Sequence, residues 1–171
     1  MALSKKMGDA MEIPLRNRKG EIVGYAIVDA EDYDAVMSAG RWSKAKNGGY
    51  AYRRKTVNRR PVEVKMHRFV LGMDASDPRQ VDHEDGDTLN NRKSNLRPCG
   101  PSLNGQNRPC GWGRSGVRGV HWNEQHQKWR VQHTLNRKKV HLGLFDTLEE
   151  ADAVARQWRK ENMPFSEEAR S

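Results

Sequence analysis

The stretch VDHEDGDTLNNRKSNLRP, residues 81–98, collects acidic, imidazole and amide side chains within a chain that is basic elsewhere. The pattern predicts a strand around residues 79–83 and a second strand near residues 95–98. The loop between them, residues 84–95, has Leu89 as its one apolar residue, so packing cannot hold its backbone. We expect the Asn95 side chain to hold the loop instead, by hydrogen bonding to loop amides.

The residue types in this stretch suit phosphodiester hydrolysis, which requires a base for the attacking water and a Lewis acid for the phosphate oxygens. Mg²⁺ prefers oxygen ligands and keeps most of its waters, so a protein need supply only one or two. Asp82 offers a carboxylate, and His83, with an ordinary pKa near ~6.5, suits proton transfer at neutral pH. Neighbouring side chains of a regular strand point to opposite faces, so both can serve one phosphate only where the strand ends or twists.

Two plainer interpretations of the same residues stay open at this point. The run Asp85-Gly86-Asp87 is similar to the start of a calcium loop, although it lacks the oxygen spacing and the closing Glu of an EF-hand. The asparagines Asn90, Asn91 and Asn95 are also typical turn residues. Asp82 and His83 alone, without the rest of the pattern, would more often be a surface pair than a site.

Charge is distributed unevenly along the 171 residues, whose net charge is +9. Residues 1–60 carry 13 Lys and Arg against 7 Asp and Glu, and residues 114–145 carry 7 against 1. The segment between, 61–113, carries 7 against 7. Basic segments predict a polyanionic partner, most plausibly nucleic acid. Carboxylates placed between two such segments would repel phosphate unless a cation bridged them.

Composition limits the cellular setting. No apolar run approaches the ~18 residues of a membrane span, and the N-terminus MALSKKMGDA has no apolar core of a secretion signal. Cys99 and Cys110 allow at most one disulfide, and their spacing is not that of zinc ligands. We therefore expect no membrane partner and a cytoplasmic protein, in a bacterial or phage-infected host cell.

The remaining pattern predicts an α+β fold. Residues 12–28 are predicted as strands around the turn Arg18-Lys19-Gly20, followed by a short helix with Asp29 as its cap and Gly40 as its end. Strand character resumes at residues 49–72, with a turn at Asn58-Arg59, and a short helix is predicted at 101–108. Residues 1–10 are predicted to be disordered, and the Gly-rich residues 109–115 to be a linker.

After the linker, three short strands are predicted, followed by a helix. One face of the strands is apolar, with Val120, Trp122, Trp129, Val131, Val140 and Leu142. Thr147 and Glu150 form a capping box that opens the helix, and Pro164 ends it. The helix stripe Leu148, Ala151, Ala155 and Trp158 should cover the apolar face, because three strands alone are too few to be stable.

Residues 61–108 resemble the HNH endonucleases of the phage and intron-encoded homing type. The specific features are D-H, then N-N-x-x-x-N-L-R, then N-x-x-N in SLNGQN. The resemblance implies an HNH domain over residues 11–108. In this domain a small N-terminal antiparallel sheet precedes a ββα-metal finger at about 79–108. It also implies one divalent metal, Mg²⁺ or alternatively Mn²⁺.

The resemblance also assigns roles. It makes Asp82 and Asn104 the metal ligands, with Asn107 competing for the second position. His83 becomes the general base and Asn95 a structural residue. His67, in MHRFVLG, supports the site, although a packed or hydrogen-bonded histidine is the simpler interpretation.

Residues 116–165 resemble the Apetala2/ethylene-response-factor DNA-binding domain, through G-V-x-W, K-W-R, L-G-x-F-D-T and E-E-A-x-x-A. In that fold a three-stranded antiparallel sheet packs on one helix and lies in the major groove. Trp122 departs from the family pattern, so its role is open. The predicted DNA-binding residues of the whole chain are Arg53, Arg54, Lys55, Arg59, Arg60, Arg97, Arg118, His121, Arg130, Gln132 and Lys139.

Together these features predict a metal-dependent DNA endonuclease that acts on double-stranded DNA as a monomer. The alternative is a non-catalytic, sequence-specific DNA-binding regulator built on the second domain. An RNA-binding protein is a third candidate, but the sequence lacks the aromatic sheet platforms that single-strand binding favours.

Overall fold

The computed structural model of the protein describes residues 6–46, 49–100, 103, 105–107 and 114–169. The fold is α+β, with small antiparallel sheets and few helices, as predicted. Contacts divide the chain into two compact units, Met1–Pro98 and Cys99–Ser171. Most of the predicted linker, 109–115, lies outside the described residues. Within the described part of the chain, no helix is long and apolar enough to cross a membrane.

The first sheet of unit 1 contains β1 (Lys6–Met7), β2 (Ala10–Arg16) and β3 (Ile22–Asp29), in that order. Lys6 and Met7, which lie inside the segment predicted to be disordered, therefore pair with β2. The predicted turn at residues 18–20 is confirmed, and it joins β2 to β3. The first sheet thus carries an exposed hairpin tip at Arg18 and Lys19.

The predicted short helix follows β3 as a 3-10 turn, Ala30–Asp32, and α1, Tyr33–Ser38. The prediction that Asp29 caps it is wrong, because the Asp29 side chain makes no capping hydrogen bond. Its carboxylate instead accepts from Arg92 Nε at 3.0 Å and from the Lys93 backbone N–H at 2.8 Å. Asp29 therefore ties the loop of residues 84–95 to the end of β3.

The second sheet contains β4 (Ser43–Lys44), β5 (Ala51–Val57) and β6 (Arg60–Lys65), and α2 (Met66–Val70) follows directly. The predicted turn at Asn58-Arg59 is confirmed, with φ of 51° and 62°. Such left-handed backbone at two successive positions is typical of a tight two-residue hairpin turn. The hairpin end is exposed, whereas Ala51 and Met66 are buried in the core.

The core of unit 1 lies between these sheets, α1 and α2. Its fully buried side chains include Ile13, Leu15, Val28, Val36, Trp42 and Met66. The Trp42 indole donates from Nε1 to the carbonyl of Val36 at 2.8 Å, so this ring is held by a hydrogen bond as well as by packing. A short two-stranded sheet, β7 (Gln80–His83) and β8 (Leu96–Cys99), adds Val81 and Leu96 to the core.

The loop between β7 and β8 is held by more than the predicted Asn95 contacts. The Ile27 N–H donates to the Leu89 carbonyl at 2.8 Å, and the Asn91 N–H donates to the Ile27 carbonyl at 2.7 Å. Leu89 also packs against the core. The loop therefore runs beside β3 as a short backbone ladder, which fixes its position relative to His83.

Unit 2 contains β9 (Val120–Asn123), β10 (Lys128–Leu135) and β11 (Lys138–Phe145) in the order β11-β10-β9, followed by α3 (Leu148–Asn162). The predicted cap of α3 is confirmed, since the Glu150 N–H donates to Thr147 Oγ1 at 3.2 Å. The predicted packing is confirmed for Ala151 and Ala155, which are buried against Val120 and Val131. Trp122 and Val140 are not part of this cluster, and Trp158 stacks on His133.

Register in the β10–β11 pair shifts between Val131 and Gln132. Val131 pairs with Gly143 and Gln132 with His141, so Leu142 is the extra residue of a bulge. Because of this bulge, Leu142 and Phe145 both pack against the core of unit 2.

Candidate functional site

The end of β7 places the two central residues of the predicted site, and both are almost fully buried. Asp82 is 5% exposed and His83 is 4% exposed. Their partners differ, as expected for neighbours in a strand. Asp82 faces Arg97 of β8, whereas His83 faces His67 of α2 and Tyr50, which precedes β5.

Arg97 forms an ion pair with Asp82. Its Nε donates to Asp82 Oδ2 at 3.1 Å, its Nη2 donates to the same oxygen, and its Nη1 lies 3.5 Å from Glu84 Oε1. Arg97 was predicted to bind DNA, and in the structure it also has an internal partner, Asp82. The ion pair therefore holds the buried Asp82 carboxylate against β8.

His83 lies in an aromatic cluster with Tyr50 and His67. The ring centroids of His83 and His67 are 5.2 Å apart at an interplanar angle of 80°, and the Tyr50 ring lies 5.7 Å from His83 and 5.3 Å from His67. We call these three residues the Tyr50–His67–His83 cluster. The edge-to-face contact with His67 and the tilted contact with Tyr50 fix the plane of the His83 imidazole.

Burial lowers the pKa of His83 below its ordinary value. The side chain of Asn91 and the charges of Asp85, Asp82 and Asp87 act in the opposite direction and raise this pKa. The net result favours the neutral imidazole at neutral pH. A neutral imidazole has a nitrogen lone pair, which is what a general base requires.

His67 is also held neutral. Burial, followed by the charges of His83, Lys65 and Arg68, lowers the pKa of His67 to about 3. His67 was predicted to support the site, and the structure places it against His83. A neutral ring at this position contacts His83 without adding a positive charge beside it.

Asn91 is a residue whose role the sequence did not reveal. It is completely buried, and its Nδ2 donates to the Leu89 carbonyl at 2.9 Å. Among the described residues its Oδ1 is buried without a hydrogen-bond partner, and the Asn91 side chain raises the pKa of His83. The signal was hidden because Asn91 follows Asn90 in a stretch that is typical of turns.

Asn95 connects the two ends of the loop, as the sequence predicted for it. Its Oδ1 accepts from the Asp85 N–H at 3.0 Å, and its Nδ2 donates to Asp85 Oδ1 at 2.9 Å and to the Asn90 carbonyl at 2.8 Å. The Asn95 carbonyl also accepts from the Glu84 N–H at 2.9 Å. Asn95 therefore fixes the residues that follow His83.

The two predicted metal ligands lie in different parts of the chain. Asn104 lies outside the described residues, and Asn107 ends a 3-10 turn, Gly105–Asn107. Among the described residues, no group of three or more His, Cys, Asp and Glu side chains could hold a metal ion. The predicted set is smaller, with one carboxylate and one amide. The Asp82 carboxylate fits a hard cation that keeps most of its waters.

The predicted DNA-binding residues of unit 2 divide into two groups. On the sheet, Arg130 pairs with His121 and Gln132 with His141, while Lys139 pairs with Thr134. Cross-strand partners share a face, so His121, Arg130, Gln132 and Lys139 lie on one face, and His141 and Thr134, which were not predicted, join them. Arg118 instead donates to the carbonyl of Gln106.

The predicted DNA-binding residues of unit 1 also divide. Arg54, Lys55, Arg59 and Arg60 are exposed on the β5–β6 hairpin. Arg53 is turned inward, because its Nη1 donates to the Ala39 carbonyl at 2.6 Å and its guanidinium lies 5.6 Å from the Phe69 ring centroid. The sequence could not separate Arg53 from Arg54, since both stand in one basic run.

The chain shows no significant match to any protein-family model, to any curated protein or to any solved structure. The functional argument therefore depends on the residues and on the geometry described above.

Proposed function

We propose that the protein is a metal-dependent DNA endonuclease of the HNH type, with His83 as general base and Mg²⁺, or alternatively Mn²⁺, as its cation. The observation that carries this proposal is a buried imidazole, held neutral by its burial, that directly follows a buried carboxylate at the end of β7. In this proposal β7 and β8 are the strands of a ββα-metal finger, whose helix is predicted over residues 101–108.

His83 would accept the proton of the water that attacks the phosphodiester. The ring contacts of the Tyr50–His67–His83 cluster would hold its ring in one orientation. Since His83 is only 4% exposed, bulk water has little access to it, which strengthens electrostatic interactions at the ring. A bound divalent cation would stabilise charge on the phosphate and on the leaving oxygen.

Asp82 would be the carboxylate ligand of that cation, and Arg97 would position it. The bond from Arg97 Nε to Oδ2 holds the carboxylate in a fixed orientation and offsets part of its charge when no cation is bound. The neighbouring acidic residues Glu84, Asp85 and Asp87 make the local potential negative, which favours a cation at this end of the sheet.

Double-stranded DNA would be the substrate, bound by a monomer in the cytoplasm of a bacterial or phage-infected host cell. The polar face of the β9–β11 sheet offers Arg130 and Gln132, whose side chains suit guanine and adenine edges in the major groove. The cations of the β5–β6 hairpin would contact phosphates.

The alternative is a non-catalytic DNA-binding regulator, which the Asp82–Arg97 ion pair and the burial of His83 favour. An assay with supercoiled plasmid separates the two functions. With Mg²⁺ or Mn²⁺, and without EDTA, the endonuclease nicks the plasmid, and His83→Ala abolishes nicking while DNA binding is retained. The exposed His126→Ala variant is the matched control and nicks normally. DNA retention without cutting under either metal would leave the regulator, and His83→Ala cutting at the wild-type rate would refute the base assignment.

A further inference from the structure

A basic cleft lies on unit 1, formed by residues that the sequence pattern did not bring together. It has a volume of about 980 Å³ and is bounded by the β2–β3 turn, by β4 and by the start of β5. Eight of the described residues that line it are Lys or Arg, and Glu21 is the one acidic residue among them. Its exposed cations are Arg18, Lys19, Arg41, Lys44, Lys46 and Arg54.

The walls of this cleft are joined by hydrogen bonds. The Arg16 N–H donates to the Trp42 carbonyl at 2.8 Å, and Ser43 Oγ donates to the Arg16 carbonyl at 2.8 Å. The Arg41 guanidinium also donates to the carbonyl of Asn17 in the hairpin turn. The hairpin is therefore fixed to β4, and the cations are presented by a preorganised surface rather than by two independent loops.

Ion pairs within the described part of the chain do not neutralise the positive charge of the cleft. None of its eight cations forms an ion pair with a carboxylate in the described part of the chain. Other basic residues of unit 1 differ, since Arg79 pairs with Asp77 and Lys93 pairs with Glu31 and Asp32. Cations gathered without partners repel one another, and a bound polyanion removes that repulsion.

We propose that this cleft binds the phosphate backbone of duplex DNA without reading its sequence. The inference rests on the proposed function, which makes duplex DNA the polyanion. Stacking platforms for unpaired bases are lacking among the described lining residues, where Tyr52 is the one aromatic side chain and the Arg54 guanidinium lies 5.9 Å from its ring centroid. Arginine and lysine without base platforms suit phosphate contact.

The cleft would supplement the base-reading face of unit 2. Phosphate contacts fix register and contribute salt-dependent affinity, whereas base contacts specify sequence. The two surfaces should therefore respond differently to substitution. Removal of cleft cations should weaken binding to every duplex sequence equally, and it should reduce the dependence of affinity on salt.

The test compares two triple variants with equal net charge. The cleft variant combines Arg18→Gln, Lys19→Gln and Lys44→Gln, whose side chains are exposed. The control variant combines Arg79→Gln, Lys93→Gln and Arg156→Gln, whose side chains are ion-paired. Fluorescence anisotropy with a labelled 30-base-pair duplex, in EDTA and across a salt series, measures the Kd of each. Circular dichroism verifies that each variant is folded.

The expected result is specific to the cleft variant. Each phosphate contact contributes about 0.9 to the slope of log affinity against log salt, so three lost contacts lower the slope by about 2 to 3 and weaken binding at least about tenfold. The control variant should stay within about threefold of wild type. An unchanged slope in the cleft variant, or absence of duplex binding by the wild type, would overturn the proposal.

Two further arms distinguish the alternatives. A loss confined to single-stranded DNA or to duplex RNA would overturn the assignment to duplex DNA. Plasmid nicking is measured separately with the same proteins. Normal nicking with unchanged duplex binding in the cleft variant refutes the cleft alone, whereas cleft-dependent binding by a wild type that never nicks refutes the endonuclease and leaves the cleft standing.

Discussion

Replacement of Asn95 by alanine should destabilise unit 1 more than replacement of Asn90, the neighbouring asparagine of the loop that follows His83. Asn95 is 8% exposed and makes three side-chain hydrogen bonds, two with Asp85 and one with the Asn90 carbonyl. A buried hydrogen bond contributes roughly 0.5–1.5 kcal/mol, and one to a charged group contributes somewhat more. The three together predict a loss of about 3 kcal/mol in the free energy of unfolding.

Two comparisons sharpen this prediction. Asn90→Ala removes the 2.7 Å bond to Asp85 Oδ2 and a long contact at 3.5 Å from the Arg92 N–H, so it should cost about 1 kcal/mol. Asn95→Asp keeps the shape and the Oδ1 acceptor but replaces a donor by a carboxylate oxygen opposite Asp85. Repulsion between the two carboxylates should make Asn95→Asp at least as destabilising as Asn95→Ala.

The assay is urea unfolding followed through the indole N–H signal of Trp42. Residues 1–98 contain no other tryptophan, and Trp42 is buried with its N–H bonded to Val36, so the signal reports on unit 1. A loss of about 3 kcal/mol lowers the melting temperature of a domain of this size by more than roughly 10 °C. The reasoning is refuted if Asn95→Ala costs no more than Asn90→Ala.

Two predictions concern unit 2. Gly119→Ala should destabilise unit 2 by about 2–4 kcal/mol, because φ is +82° and the added Cβ would lie 2.2 Å from Cε1 of His133. Gly116→Ala, where φ is +65° and the added Cβ meets open space, should cost only about 1 kcal/mol. Equal losses for the two variants in thermal unfolding would contradict the packing argument. Burial, followed by the charges of Arg159 and Arg118, lowers the pKa of His133 to about 4. The stability that the neutral His133 ring contributes is therefore complete above pH ~6.5 and is lost as the pH falls toward 4. Urea unfolding should show a loss of about 1–2 kcal/mol between pH 7 and pH 5 that His133→Phe removes, and an unchanged pH dependence in that variant would contradict the assignment.

Local features of the fold were predictable from the sequence because local chemistry determines them. Arg18-Lys19-Gly20 and Asn58-Arg59 are turn-forming residues between alternating strands, and both turns are present. Thr147 and Glu150 predicted the start of α3 at Leu148, three residues before its first buried alanine, Ala151.

Long-range contacts were not predictable in the same way. The side chain of Arg97 was assigned to DNA because it is basic, yet its partner Asp82 lies 15 positions away and becomes a neighbour only when β7 pairs with β8. Asp29 was assigned to a helix cap because it precedes one, but Arg92 and Lys93 bring donors that compete for its carboxylate. A single sequence does not show which partner wins such a competition.

The candidate site shows the same division. Asp82, His83 and Asn95 stood out because their residue types are unusual in one short stretch, whereas Tyr50 and Asn91 reach His83 only through the packing of β5, α2 and the loop. The basic cleft could not be predicted, because Arg16 and Lys44 line one cleft only after Leu15 pairs with Trp42 and brings β2 beside β4.

The central claim is that a divalent cation binds at Asp82 beside the His83 imidazole, and a direct measurement needs no DNA. Mn²⁺ titrated into protein with ¹⁵N-labelled histidine broadens the signals of rings close to the ion. We predict that the imidazole signals of His83 and of the neighbouring His67 broaden at low Mn²⁺, and that Asp82→Asn, verified as folded, removes this broadening. His83 signals that stay sharp as Mn²⁺ is added, or that broaden equally in Asp82→Asn, would contradict the account.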